Sequence, residues 1–179
     1  AAAGAAGPAL EGGISKYGMR ASDGAIDSVK IINNKITYTT INNKKARGIC
    51  GSGIVDLIAE LFLNKWIDFS GTLIPENSTS ILKINDEYVV EYVTKEESFN
   101  GESLIFTQSD INQFLKTKSA ANTMVAYLLE EIGLDINELD YFYTAGAFGT
   151  HIDVKSAVTI GMYPDLPESK IISPGNSSL

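Results

Sequence analysis

Apolar and polar positions along the chain alternate with two different periods, and each period marks a kind of element. Val29–Ile32 and Ile36–Ile41 are β-rich runs separated by Asn33-Asn34, residues that tolerate positive φ, and together they predict a hairpin. After Gly48-Ile49-Cys50-Gly51-Ser52-Gly53, apolar residues at 54, 57, 58, 61 and 62 recur with helical spacing. A helix is therefore expected to about Trp66, with Ser52 as its N-cap. A turn-rich stretch from Asp68 to Ser80 precedes two short strands, Tyr88–Val93 and Leu104–Thr107, with a turn at Asn100-Gly101 between them. The longest periodic segment follows Ser109. Ile111, Phe114, Leu115, Met124, Val125, Leu128, Leu129 and Ile132 share one face, Ala120 and Ala121 fill the middle, and Gly133 supplies the stop. The Met124, Val125, Leu128, Leu129 stripe is expected in the core. An aromatic strand, Tyr141–Thr144, then leads into Ala145-Gly146-Ala147-Phe148-Gly149. A short helix over Val154–Ile160 and a strand over Lys170–Ser173 end at Pro174-Gly175-Asn176, and no internal repeat is present.

A hairpin early and strand–helix–strand units late describe an α/β domain with a mixed sheet. In such folds ligands sit where loops leave the carboxyl ends of strands, and glycine there lets backbone approach a ligand closely. Gly146 and Gly149 follow one late strand and Gly175 follows the other, which points to one shared rim.

Composition narrows the class further. A chain of 179 residues buries roughly 70% of its unfolded surface and needs no disulfide or metal to form a core. Its 44% hydrophobic and 20% charged residues exclude a disordered or collagenous chain. No apolar run approaches the roughly 18 residues of a membrane span. The net charge of −8 argues against nucleic acid or an anionic membrane as partner. The charge is uneven: residues 1–48 carry seven basic and three acidic groups, 49–107 three and ten, and 108–179 four and nine. The basic N-terminal third reads either as a solvated face or as a phosphate site.

The single cysteine cannot form an internal disulfide, hold an iron–sulfur cluster alone or complete a zinc site, so a cytoplasmic chain without its own cluster is expected. Residues 1–7, Ala-Ala-Ala-Gly-Ala-Ala-Gly, lack the charged and hydrophobic regions of a signal peptide, and a piece of a longer or processed chain is expected. Gly51-Ser52-Gly53 at a helix start could hold a phosphate on its free N–H groups, or could be a plain helix entrance; it lacks the Gly-Lys-Ser/Thr ending of a Walker A loop. His151 is the only histidine, with Asp153 two residues on, and reads as a loop histidine rather than a catalytic base. Glu11, among glycines, could orient a Mg²⁺-bound water or a nucleotide hydroxyl, or cap a turn. Cys50 reads as a small buried hydrophobe, and Lys116 and Lys118 as exposed charges of which one could reach a phosphate or ribose.

Several segments taken together resemble the C-terminal region of the reductive activators of corrinoid proteins. They are Ala5-Ala6-Gly7-Pro8-Ala9-Leu10-Glu11-Gly12-Gly13, Gly18-Met19-Arg20-Ala21 with Gly24-Ala25-Ile26, and Gly48 to Asp56. The series continues through Thr107 to Ile111, Lys118-Ser119-Ala120-Ala121, Ala145 to Gly149, Ile160 to Pro164 and Gly175-Asn176-Ser177-Ser178-Leu179. The resemblance spans essentially the whole chain in order.

It implies a lobe of an ATPase of the acetate and sugar kinase, heat-shock chaperone and actin superfamily. The expected fold is a ribonuclease H-like α/β lobe, residues 1–13 and 108–179, with a smaller α+β subdomain inserted at about 14–107. The family uses ATP/ADP with Mg²⁺ to drive electrons uphill onto Co(II) corrinoid, returning it to Co(I), from an N-terminal ferredoxin-like [2Fe-2S] domain. The resemblance implies a corrinoid/iron–sulfur protein or a corrinoid-dependent methyltransferase component as partner, with a homodimer as a further option. It matches Ala145–Gly149 to an adenosine loop and Gly175-Asn176 to a second connecting loop. The nucleotide set expected from residues and resemblance together is Gly146, Ala147, Phe148, Gly149, Gly175, Asn176, Gly51, Ser52 and Gly53, with Glu11 and Lys118 as further candidates. The Asp-x-Gly phosphate loops of the superfamily and the cluster cysteines do not occur in these residues, so the lobe is expected to form one wall of a cleft and to be inactive alone. The competing expectation is a non-catalytic docking or dimerisation module that binds the corrinoid protein.

Overall fold

The computed structural model describes residues 13–175. Strand β1 (Ala25–Ile32) turns at Asn33-Asn34 into β2 (Lys35–Thr40). Both asparagines take positive φ, 51° and 62°, the geometry a two-residue hairpin turn demands. β1 also pairs in parallel with β3 (Gly48–Ile49), so the sheet β2-β1-β3 is mixed. A second hairpin, β4 (Ile81–Ile84) and β5 (Glu87–Val93), turns at Asn85-Asp86, again with positive φ, and β6 (Leu104–Thr107) completes an antiparallel sheet. β4 has no counterpart in the sequence pattern: Lys83 interrupts a run too short to show alternation. The third sheet is the parallel pair β7 (Phe142–Tyr143) and β8 (Ile171–Ile172), shorter than the aromatic run and the Lys170–Ser173 strand expected.

Helix α1 (Gly51–Leu63) starts two residues earlier than expected and stops before Trp66. Ser52 is not its N-cap. Cys50 holds that position without a side-chain cap, and the Ser52 hydroxyl instead donates to the Asp27 carbonyl (2.9 Å). Gly53 explains the local geometry, because a Cβ there would lie 2.4 Å from the Ile26 carbonyl oxygen. The helix start is thus pressed directly onto β1. At the other end Lys65 turns the chain with φ 61°, and Trp66 is tucked under the hairpin, its indole N–H donating to Asn34 Oδ1 (2.9 Å).

Residues from Gly51 to Leu61 of α1 are buried on every side, including Asp56 and Glu60. Beyond Ile26, no strand among the described residues pairs with β1 on the α1 side, and these two carboxylates take its place. Val29 N–H donates to Asp56 Oδ2 (3.2 Å) and Ile31 N–H to Glu60 Oε2 (2.9 Å). The match is geometric: four helical residues rise about 6 Å and two strand residues about 6.8 Å, so an i, i+4 pair can follow alternate strand amides.

Helix α2 (Gln108–Ile132) opens with a capping box between Thr107 and Asp110 and closes at Gly133 in the left-handed conformation, as expected. Its first half buries Ile111 and Phe114 against β5 and β6. Its second half corrects the expectation of a core stripe. Met124, Val125 and Leu129 are only partly covered, Ala120 and Leu128 are exposed, and Ile132 is 65% exposed; the Ala121 side chain lies outside the described residues. The periodicity states an apolar face, and the described residues cover that face only in part. Helices α3 (Ala147–His151) and α4 (Val154–Thr159) pack against α1, and one core cluster runs from Ile14 to Ile171, with Trp66, Phe106 and Phe114 its largest fully buried side chains.

Candidate functional site

The two strand-end glycine segments meet. β7 and β8 lie side by side in parallel, so both leave the sheet at the same end, and Thr144 N–H continues the ladder to the Ile172 carbonyl (2.9 Å). One step further, Gly146 N–H donates to the Gly175 carbonyl (3.1 Å). Ser173 ties the two loops again, its hydroxyl donating to the Gly149 carbonyl (2.9 Å). The shared rim is thus a backbone structure, stitched by main-chain groups and one hydroxyl.

Each glycine in it has a separate physical cause. Gly146 has φ 100° and ψ 165°, a region that side-chain-bearing residues scarcely visit, and among the described residues a Cβ there would meet nothing within 4 Å. Gly175, with φ 85°, likewise meets nothing within 4 Å among the described residues. These two positions present bare backbone outward. Gly149 faces inward, where a Cβ would lie 2.8 Å from the Thr144 carbonyl oxygen, so it lets α3 fold back tightly onto the end of β7. Ala147 and Phe148 form the first turn of α3 rather than part of an open loop; their side chains, like Glu11 and Asn176, lie outside the described residues.

Support comes from beneath. Phe142 packs against Tyr163 with ring centroids 5.7 Å apart. Burial pushes the Tyr163 hydroxyl above its ordinary pKa, and the neighbouring Thr144 side chain opposes that shift. Lys118 is half-buried and lies over Gly161, where a Cβ would come within 3.2 Å of its Nζ, and Asn122 donates to the Gly161 carbonyl (2.5 Å). The middle of α2 is thereby fixed to the turn that leads from α4 to Tyr163.

Other candidates fall elsewhere. Gly51, Ser52 and Gly53 are buried beneath β1, with the Ser52 hydroxyl already engaged and Gly53 accounted for by its close approach to Ile26. Cys50 is buried, its thiol donating to the Ile26 carbonyl (3.3 Å). His151 ends α3 exposed to solvent, while Asp153 caps α4 by accepting from Ser156 N–H (2.7 Å), so the two are not paired. Lys116 is exposed. Among the described residues no three His, Cys, Asp or Glu gather as a metal site, and no helix is long and apolar enough to cross a membrane.

Sequence reasoning missed Thr144, Tyr163 and Ser173 as supports of the rim, and Asp56 and Glu60 as substitutes for a strand. The i, i+4 spacing of Ser52, Asp56 and Glu60 was visible, but on a helix with an apolar stripe it reads as the solvent side. Among the described residues the rim offers a flat polar ring backbone N–H and C=O groups and two bare glycines, and no acid–base pair.

A family model described as the C-terminal domain of RACo, the ASKHA domain, matches residues 1–179. The corrinoid activation enzyme RamQ of Eubacterium limosum is 37% identical over 182 residues, covering 97% of this chain and 31% of that protein. A [Co(II) methylated amine-specific corrinoid protein] reductase of Methanosarcina barkeri is 28% identical over 180 residues, covering 99% of this chain and 33% of that protein. The solved structure of a reductive activator for corrinoid, iron–sulfur protein superposes with a TM-score of 0.90 at 36% identity, over 97% of this chain and 28% of that one. The chain spans about a third of the length of these curated relatives.

Proposed function

The chain belongs to the family of C-terminal ASKHA domains of RACo, and from that membership we propose that it supplies the adenosine-side wall of a nucleotide cleft in a reductive activator of corrinoid proteins. The observation that carries this reading is the Gly146–Gly175 hydrogen bond, which joins the two strand-end loops into one bare backbone rim. A purine and its ribose need a surface without side chains in the way and polar groups at its border, and Gly146 and Gly175 meet that need. The proposed contacts are Gly146, Ala147, Phe148, Gly149, Gly175 and Asn176, with Lys118 held nearby on α2 and Glu11 as a further candidate. Gly51, Ser52 and Gly53 are left out, because their surroundings explain them as a close helix–strand contact.

ATP with Mg²⁺ supplies the driving force for electron transfer in this proposal, and the residues here fit its adenosine end. They do not fit an iron–sulfur cluster, since the chain has one cysteine and it is buried and hydrogen-bonded. The partner proposed is a corrinoid protein, the class on which the relatives' names say they act.

Calorimetry of the 179-residue chain with ADP tests the reading. One wall of a cleft leaves the phosphates without partners, so a dissociation constant of about 1 mM or weaker is expected. A micromolar constant would show a complete site, and no saturable binding at all would remove the adenosine wall. The docking-module reading is favoured by one observation, the exposed apolar face on the second half of α2 at Leu128 and Ile132. It requires binding of a corrinoid protein with no response to nucleotide.

A further inference from the structure

The sheet β2-β1-β3 treats its two sides differently. On the α1 side, the amides of Val29 and Ile31 are answered by Asp56 and Glu60. On the β2 side nothing among the described residues answers. In the register Ser28↔Thr39, Lys30↔Thr37 and Ile32↔Lys35, the amides of Val29 and Ile31 point toward α1. By the alternation of an antiparallel ladder, Lys35, Thr37 and Thr39 therefore bond to β1. The N–H and C=O groups of Ile36 and Tyr38 consequently face outward.

Natural edge strands are usually blunted by proline, bulges, charge or shortness. β2 is six residues long, contains no proline, and the register irregularity of the pair falls on β1 at Asp27. Its only charge is Lys35, at one end. The sequence that flanks β2 is cationic. Lys35, Lys44 and Lys45 are exposed, and Arg47 follows with its guanidinium 3.9 Å from the Phe99 ring centroid. Among the described residues of this segment the two acidic groups are engaged, Asp27 by the Thr39 hydroxyl (2.6 Å) and Asp23 by the Asn42 amide (2.6 Å). Burial of the Tyr38 phenol, and after it the charge of Glu97, raise its pKa. A chain of net charge −8 thus has this open strand edge in residues 1–48, the one of its three sequence segments with a net positive charge.

We propose that the outer edge of β2 is a strand-addition site for an extended acidic segment of a partner protein. Main-chain bonds to Ile36 and Tyr38 give the added strand its register, and Lys35, Lys44 and Lys45 select acidic side chains, the division of labour seen whenever a peptide extends a sheet. The site is separate from the glycine rim and does not rest on the nucleotide reading.

The test uses the isotope-labelled 179-residue chain and an end-blocked octapeptide of alternating threonine and glutamate. At saturation, amide exchange at Ile36 and Tyr38 is expected to slow about tenfold or more, while Thr37, already bonded to β1, changes little. The double variant Lys35→Glu/Lys44→Glu alters two exposed side chains and should keep the circular dichroism of the parent, yet weaken the peptide by about fivefold or more. An alternating threonine–lysine peptide should not bind. Unchanged exchange at Ile36 and Tyr38, or shifts confined to other residues, overturns the proposal. So does protection that grows with protein concentration without peptide, because the edge would then pair with a second copy.

Discussion

Replacing Glu60 measures how much the fold depends on a side chain standing in for a strand. Its Oε2 accepts the buried Ile31 N–H at 2.9 Å, and its Oε1 lies 3.1 Å from Lys30 Nζ. The two interactions differ in worth. The Lys30 side chain is 52% exposed, so its ammonium rehydrates readily when the pair is broken, and the ion pair contributes about 0–1 kcal/mol. The amide has no such escape: with the acceptor gone it stays buried and unpaired, which costs about 1–3 kcal/mol. Glu60→Ala should therefore destabilise by about 2–3 kcal/mol, with a further contribution from the lost side-chain volume. Glu60→Gln keeps an acceptor for Ile31 and loses only the charge, so about 0.5–1 kcal/mol is expected, and Lys30→Met should cost no more. Urea unfolding monitored by circular dichroism reads all three as midpoint shifts, valid where the slope is unchanged. If Glu60→Gln costs as much as Glu60→Ala, or if Lys30→Met accounts for most of the alanine effect, the ion pair holds α1 to β1 and the strand-substitute account fails.

Three further outcomes follow from the same geometry. Gly53→Ala, which places a Cβ 2.4 Å from the Ile26 carbonyl oxygen, should lower stability by about 1–3 kcal/mol despite alanine's better helix propensity, measured by thermal unfolding. At the start of α2, burial raises the Asp110 pKa above 3.8 while the bond from Ser109 holds Glu87 below 4.5, so the two act in opposite directions. The folded chain binds the Asp110 proton more tightly than the unfolded chain, which favours folding below the unfolded pKa and opposes it once the pH passes the folded one. Asp110→Asn, whose amide oxygen can still accept from Thr107 N–H, should thus match or exceed the parent's urea midpoint at pH 7 and lose that advantage near pH 3. Glu87 stabilises above its unfolded pKa and loses that effect as pH falls through the folded value, so Glu87→Gln should flatten the acid limb of the stability profile.

Local signals carried much of the architecture. Asn33-Asn34 between two β-rich runs, the 54–62 periodicity and Gly133 each state a backbone geometry by themselves, and each appears where the pattern placed it. The rim was legible for the same reason, since Gly146 and Gly175 sit at strand ends and parallel pairing brings two strand ends together. What the pattern could not show depends on which element lies opposite. Ser52 looks like an N-cap until β1 is placed over it and its hydroxyl turns to Asp27. Asp56 and Glu60 look solvent-facing until the open side of β1 is seen to need acceptors. The apolar stripe from Met124 to Ile132 states only that a face is apolar; whether that face is buried depends on what covers it.

The central claim, that the Gly146–Gly175 rim is the adenosine wall, is tested most directly by titrating the isotope-labelled chain with ADP and following amide chemical shifts. The account predicts saturable shifts at Gly146, Gly149 and Gly175. It also predicts their loss in Gly146→Ala, where a side chain is forced onto a backbone at φ 100°. Shifts absent from these three glycines, or centred on Gly51–Gly53, or unchanged in Gly146→Ala, would contradict it.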